Sequence, residues 1–296
     1  MEIKRGLMEI KRGLMKMKIK KIIGHLLIMV GICIPLQAFT QITIKDLTSS
    51  LEYKKYQKQY SKESFEKNNI AKAFIKYDES VVDGYGLVDP FVADDYKSDY
   101  QIKNWKKDQI FGYLLIPSID VKQPIRLDAN YDNLDKGVAH IYGTSLPTGG
   151  KDRRSVIAGH RGWYRGIMLL NLGKVQPGDK VFIDRNGDLL TYEVKDIEII
   201  SPSQWEKLKP IKDKDMLTIL SCHPIRPPSP YRMLVNCERV EDKSEKKVIT
   251  KQIDDKINKE KQRQIWSIYV FYSVTIVGWL LIMYRAWRIV TEIRKK

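Results

Sequence analysis

Cysteine is scarce in this sequence: Cys33, Cys222 and Cys237 are the only three in 296 residues. Three thiols cannot staple a disulfide scaffold, and no cysteine set has the count and spacing of a structural zinc module. Histidine is nearly as rare, at four (His25, His140, His160 and His223), so the sequence offers no metal site and implies no cofactor. Long apolar runs number only two, which excludes a polytopic transporter. A content of 43% hydrophobic and 30% charged residues excludes wholesale disorder.

Acidic residues are outnumbered, 36 against 52 Lys and Arg, for a formal net charge of +16. Such an excess suggests nucleic acid until its position is traced. Residues 1–21 carry a net +6 and residues 285–296 a net +4, so ten of the sixteen charges lie in two short tails. The remaining +6 is spread over 263 residues, and no nucleic-acid partner is expected. Each tail abuts an uncharged apolar run, Ile22–Phe39 and Ile265–Tyr284. Twenty helical residues at about 1.5 Å each span roughly 30 Å, the thickness of a bilayer core. The positive-inside rule then places both tails in the cytoplasm and residues 40–264 outside. A basic flank and Leu36-Gln37-Ala38 partly suit a cleaved signal segment for the first run, and an uncleaved anchor is the reading taken. The heptapeptide MEIKRGL occurs twice, at 1–7 and 8–14, and is given no function.

Between the runs, apolar residues from Leu47 to Tyr77 recur at helical spacing with no Pro or Gly, which predicts one or two helices over 43–80. A polar, aspartate-rich loop follows to Asp108. From Phe111 the texture changes to short apolar runs separated by turn residues: 112–116, 155–158, 180–183, 190–194, 197–200, 216–220 and 232–237. Asn186-Gly187 between two of these is a hairpin signal. The expected body is mainly β, a barrel or sandwich of about 130 residues. Residues 241–264 are charged, without a strong apolar face, and read as a stalk.

Two chemistry-bearing residues end strand-like runs. His160 follows Val156-Ile157-Ala158-Gly159, and Cys222 follows Met216–Ser221. Arg232 opens the next run ten residues on. A thiol becomes a good nucleophile only as thiolate, which a nearby imidazole or guanidinium favours. Acyl transfer also needs a donor for the developing oxyanion. If runs 216–222 and 232–240 pair, Cys222 and Arg232 share one end of the sheet. A Cys222–Cys237 bridge is disfavoured, because Cys237 lies about 16 Å along the strand from Arg232 at 3.3 Å per residue.

Leu217-Thr218-Ile219-Leu220-Ser221-Cys222-His223-Pro224 followed by Arg232 resembles the signature of the sortases, cysteine transpeptidases of Gram-positive cell surfaces. Gly159-His160-Arg161-Gly162 resembles that family's histidine motif. Gly143–Gly150, Asp89-Pro90-Phe91 and an apolar segment after the body are similar to the class C, pilin-polymerising branch. The resemblance implies an eight-stranded β-barrel with flanking N-terminal helices and two transmembrane helices. It implies His160, Cys222 and Arg232 as the catalytic trio, a lid with Asp89 on Arg232 and Phe91 over Cys222, and Ser221 and His223 in the substrate groove. The implied organisation is a cytoplasmic tail (1–21), an anchor (22–39), a helical linker (40–84), a lid region (85–110), a catalytic barrel (111–240), a stalk (241–264), a membrane helix (265–284) and a second cytoplasmic tail (285–296). The implied partners are surface proteins or pilins bearing a Leu-Pro-X-Thr-Gly-like signal, and an amine nucleophile: a pilin lysine or a lipid-linked cell-wall precursor. A housekeeping, class A-like sortase, a cysteine hydrolase and a non-enzymatic adhesin are the alternatives.

Overall fold

The structure, a computed structural model, describes residues 2–59, 69–81, 87–91, 96, 98–100, 102, 105–106, 108–162, 168–185, 188–240, 255 and 265–294. The Asp83–Gly86 part of the aspartate-rich loop, the Asn186-Gly187 turn and all of the charged stalk but residue 255 lie outside these. The chain divides into two units, Met1–Lys45 with Gln264–Lys296, and Asp46–Arg263.

The first unit pairs the beginning of helix α1 (Glu2–Gln59) with the last helix, α4 (Ile265–Arg294). Each contains a stretch long and apolar enough to cross a membrane, Met15–Lys45 and Tyr269–Arg294. Leu36 fills the notch at Gly278, where any side chain would collide with it. Trp279 Nε1 donates to Thr40 Oγ1 at 3.1 Å, and Thr43 and Thr275 share a hydroxyl contact of 3.2 Å. Small residues and hydroxyl pairs are what hold helices together where no water drives apolar burial.

In the second unit the helices that precede the strands are the end of α1, which extends to Gln59, and α2 (Asn69–Ser80). Eight strands follow: β1 (Ile110–Ile116), β2 (Val121–Leu127), β3 (Val138–His140), β4 (Arg153–Gly159), β5 (Lys180–Arg185), β6 (Asp188–Ile200), β7 (Asp215–His223) and β8 (Tyr231–Arg239). They close a barrel in the order β1-β2-β3-β4-β7-β8-β6-β5. One short helix, α3 (Tyr131–Leu134), precedes β3 and is capped by Asn130, whose side chain accepts from the Asn133 N–H at 2.9 Å.

One expectation needs correction. The runs 190–194 and 197–200 are one strand, β6, whose register against β8 shifts between Val194 and Asp196, so a bulge mimics a strand break. β2 and β3 carried no sequence signal: Pro124 interrupts the first, and the second is three residues long.

Period-two alternation sorts the strand residues into two apolar layers. Leu217, Ile219, Val235 and Cys237 join residues from the other strands in one buried cluster that fills the barrel. Val156, Ala158, Leu220 and Leu234 point the other way into a second cluster, covered by Leu87, Leu208, Phe91 and Trp205. β7 is therefore buried on both faces, which is why it reads as a continuous apolar run.

Two tyrosines of the aspartate-rich segment are pinned to the barrel unit. The Tyr96 hydroxyl accepts from the backbone N–H of Ala129 and of Tyr142, both at 3.1 Å. The Tyr100 hydroxyl meets His140 Nδ1 at 2.8 Å. His140 is fully buried, with Nε2 2.8 Å from the Ser145 carbonyl. Burial lowers its pKa from 6.5 to about 4, and its hydrogen bonds to Ser145 and Thr144 recover only part of this. An unfolded histidine takes its proton below pH 6.5, whereas the folded one resists until about pH 4. Stability is therefore lost as pH falls through that window, by about 3 kcal/mol from this group. The urea midpoint of the detergent-solubilised chain should drop between pH 6.5 and 4.5. A His140→Gln variant, weaker at pH 7.5, should drop less.

Candidate active site

β7 and β8 place Cys222 directly opposite Arg232 in the antiparallel register. Residues facing each other this way hold their Cβ atoms about 5 Å apart on the same face of the sheet. β4 runs parallel to β7 with Ala158 beside Leu220, so His160, two residues on, emerges level with Cys222. Ser221 Oγ donates to the Gly159 carbonyl at 2.6 Å and ties the two strand ends together just below them. The sheet thus brings the three predicted residues to one edge of one face.

Asp89 and Phe91 lie across that edge. One Asp89 oxygen accepts from the Phe91 N–H at 3.0 Å and shapes the turn. The other accepts from Arg232 Nε at 2.9 Å and from Nη2 at 2.6 Å. Both side chains are more than nine-tenths buried, the setting in which an ion pair holds its geometry. Arg232 Nη1 donates to the carbonyls of Ser229 and Tyr231, so all three of its side-chain nitrogens are engaged. The Phe91 ring lies 5.3 Å from the Arg232 guanidinium and 5.6 Å from the His160 ring. It covers the two residues that flank Cys222.

Burial raises the Cys222 pKa above the usual thiol value, the Arg232 charge opposes this, and Asp89 adds to it. The Asp89–Arg232 pair thereby hides the charge that would otherwise favour a thiolate. Cys237 is buried in the barrel core, its Sγ 3.8 Å from the Val235 carbonyl, and all three cysteines are free thiols.

Ser221 does not line the groove expected for it. Its side chain is fully buried, because alternation turns it away from Cys222. His223, half-buried at the rim, receives a hydrogen bond from Arg161 at 3.2 Å. Sequence reasoning missed three neighbours. Asp135 Oδ1 lies 3.8 Å from His160 Nε2, the Tyr131 ring meets the His160 ring at 5.9 Å, and Arg161 reaches His223. Tyr131 and Asp135 flank the single turn of α3, which has no apolar period to advertise it. Among the described residues no cluster of metal-ligating side chains occurs.

A closed eight-stranded barrel with a cysteine, an arginine and a histidine converging on one strand edge defines a class, the barrel proteins with a cysteine-centred site. The sequence matches the Sortase domain over residues 114–240. The barrel is similar to the crystal structure of sortase C-3 from Streptococcus pneumoniae, with 36% identity and a TM-score of 0.59, covering 65% of this chain and 90% of that one. It is also similar to sortase C-1 from Actinomyces oris, with 31% identity and a TM-score of 0.53, covering 58% and 98%. Sortase A of Bacillus anthracis is 25% identical over 116 residues, 39% of this chain and 53% of that protein. The chain spans about half the length of the curated relatives it matches. This chain belongs to the sortase family, a family of cysteine transpeptidases, and most of the solved structures it resembles are class C sortases.

Proposed function

We propose that this chain is a membrane-anchored, class C-type sortase that joins sorting-signal-bearing proteins, pilins among them, to an amine. The observation that carries the reading is Cys222 paired across the ladder with Arg232 while Asp89 grips that arginine. In the reaction the Cys222 thiolate attacks the Thr–Gly carbonyl of a Leu-Pro-X-Thr-Gly-like signal. Arg232, freed from Asp89, donates to the oxyanion of the tetrahedral intermediate. His160 protonates the departing glycine amine as the C–N bond breaks, leaving a thioester on Cys222. An incoming amine, a pilin lysine in this reading, gives its proton to His160 and forms the new amide as the C–S bond breaks. Both basic tails face the cytoplasm and the barrel faces outward, an arrangement supported by the charge at the outer end of each apolar helix.

The test is direct. Full-length protein incubated with a signal peptide gains the mass of the acyl fragment, and the adduct maps to Cys222. With a lysine peptide added, an amide-linked product replaces the hydrolysed one. A product that is hydrolysed whatever amine is supplied identifies a cysteine hydrolase instead. No adduct on Cys222 overturns the reading.

A further inference from the structure

Arg161 follows His160 directly, yet no step of the proposed reaction uses it. β4 ends at Gly159, so two consecutive long polar side chains leave the sheet at the rim of the site. The Arg161 guanidinium lies over the turn at Gly173, where any side chain would collide with it. Its Nη1 donates to His223 Nδ1 at 3.2 Å. An arginine can only donate, so Nδ1 accepts and the imidazole proton sits on Nε2. Its Nε is buried and has no acceptor among the described residues.

The charge of Arg161 is unbalanced in a way that the charges of five other arginines of the barrel unit are not. Burial pulls its pKa down, and among the described residues no carboxylate pulls it back. Arg126, Arg154 and Arg185 are also buried, but each feels an acid: Asp108, Asp196 and Glu198, and Asp188. Arg153 and Arg232 are ion-paired with Asp78 and Asp89. A half-buried cation with an unmet donor and no anion among the described residues is a seat for an anion that arrives from outside.

Alternation decides which substrate brings it. Cys222 and Arg232 face the side on which Asp89 and Phe91 lie, and His223 points to the other. The first approach is the one a bound sorting signal would take from the Asp89–Phe91 turn. The second, floored by His223 and Arg161, is left for the acceptor, whose amine would cross the rim where β4 ends at Gly159 to reach His160 on the Cys222 side. We propose that Arg161, with His223 beside it, binds a carboxylate carried by the incoming amine acceptor and so selects acidic acceptors. This rests on the sortase reading above.

The test uses the full-length chain in detergent with Asp89→Ala to release the turn. Two acceptors are compared, N-acetyl-Glu-Lys-Glu-amide and N-acetyl-Gln-Lys-Gln-amide, and thioester formation is followed separately by intact mass. The acidic acceptor should show a KM about tenfold lower, as expected for one charge-assisted contact. Arg161→Gln should erase that ratio, and Arg161→Lys should restore part of it. No preference in the parent protein overturns the inference, as does an equal fall for both acceptors in Arg161→Gln. A preference that follows Glu against Gln at the X position of the donor, rather than in the acceptor, overturns it too. Absence of the thioester in the parent overturns the sortase reading itself, and the inference with it.

Discussion

Cys222→Ala should abolish both thioester formation and amide transfer, leaving only the uncatalysed background. In the proposed mechanism both half-reactions pass through a bond to Sγ, so without the sulfur there is no nucleophile for the signal and no leaving group for the amine. Removing the nucleophile of such a unit costs nearly the whole rate enhancement, several orders of magnitude. The matched control is Cys237→Ala. That thiol is sealed in the barrel among Leu217, Val235 and their neighbours, where burial pushes its pKa far up. Its loss should lower stability by about 1–2 kcal/mol through a small cavity and leave the thioester intact. Intact mass after incubation with a signal peptide reads both variants. An acyl adduct that survives in Cys222→Ala would remove Cys222 from the mechanism.

Asp89→Ala should speed alkylation of Cys222 severalfold near neutral pH. The direction follows from the three causes acting on the thiol. Burial raises its pKa, Asp89 raises it further, and Arg232 lowers it. Deleting the carboxylate removes one raising influence and unmasks the Arg232 charge. It also loosens the turn that places Phe91 over the site, since Asp89 accepts from the Phe91 N–H. All three changes favour the thiolate, so the rate–pH curve moves to lower pH. A shift of one unit multiplies the thiolate fraction tenfold wherever pH lies below both pKa values. Asp89→Asn, which keeps the shape but not the charge, should give part of the effect. Iodoacetamide labelling across pH 6–9, read by mass, measures it. An unchanged curve would mean that the Asp89–Arg232 pair does not hold the thiol protonated.

The strand edge that carries the site was legible because its chemistry interrupts strongly apolar sequence. His160 and Cys222 stand out at the ends of runs that are buried on both faces, and Arg232 opens the partner strand. Asp89 and Phe91 were legible only through a motif, as nothing in their local pattern predicts a contact 143 residues away. Tyr131 and Asp135 were not legible at all, because a one-turn helix leaves no periodic trace. Ser221 was misjudged for a simpler reason: a neighbour in sequence points to the opposite face of a strand.

By itself the sequence determined where the chain's charge gathers, which two segments can cross a membrane, that the body is built of short strands, and which side chains have chemistry to offer. These are local properties, set by composition, period and the ends of runs. Only the tertiary structure decided which strands close the barrel, that β4, β7 and β8 lie side by side, and that Asp89 seals Arg232 while Arg161 is left without an acid among the described residues. Those facts depend on contacts between residues far apart in the chain, and a strand's own pattern records which face is buried but not which neighbour buries it.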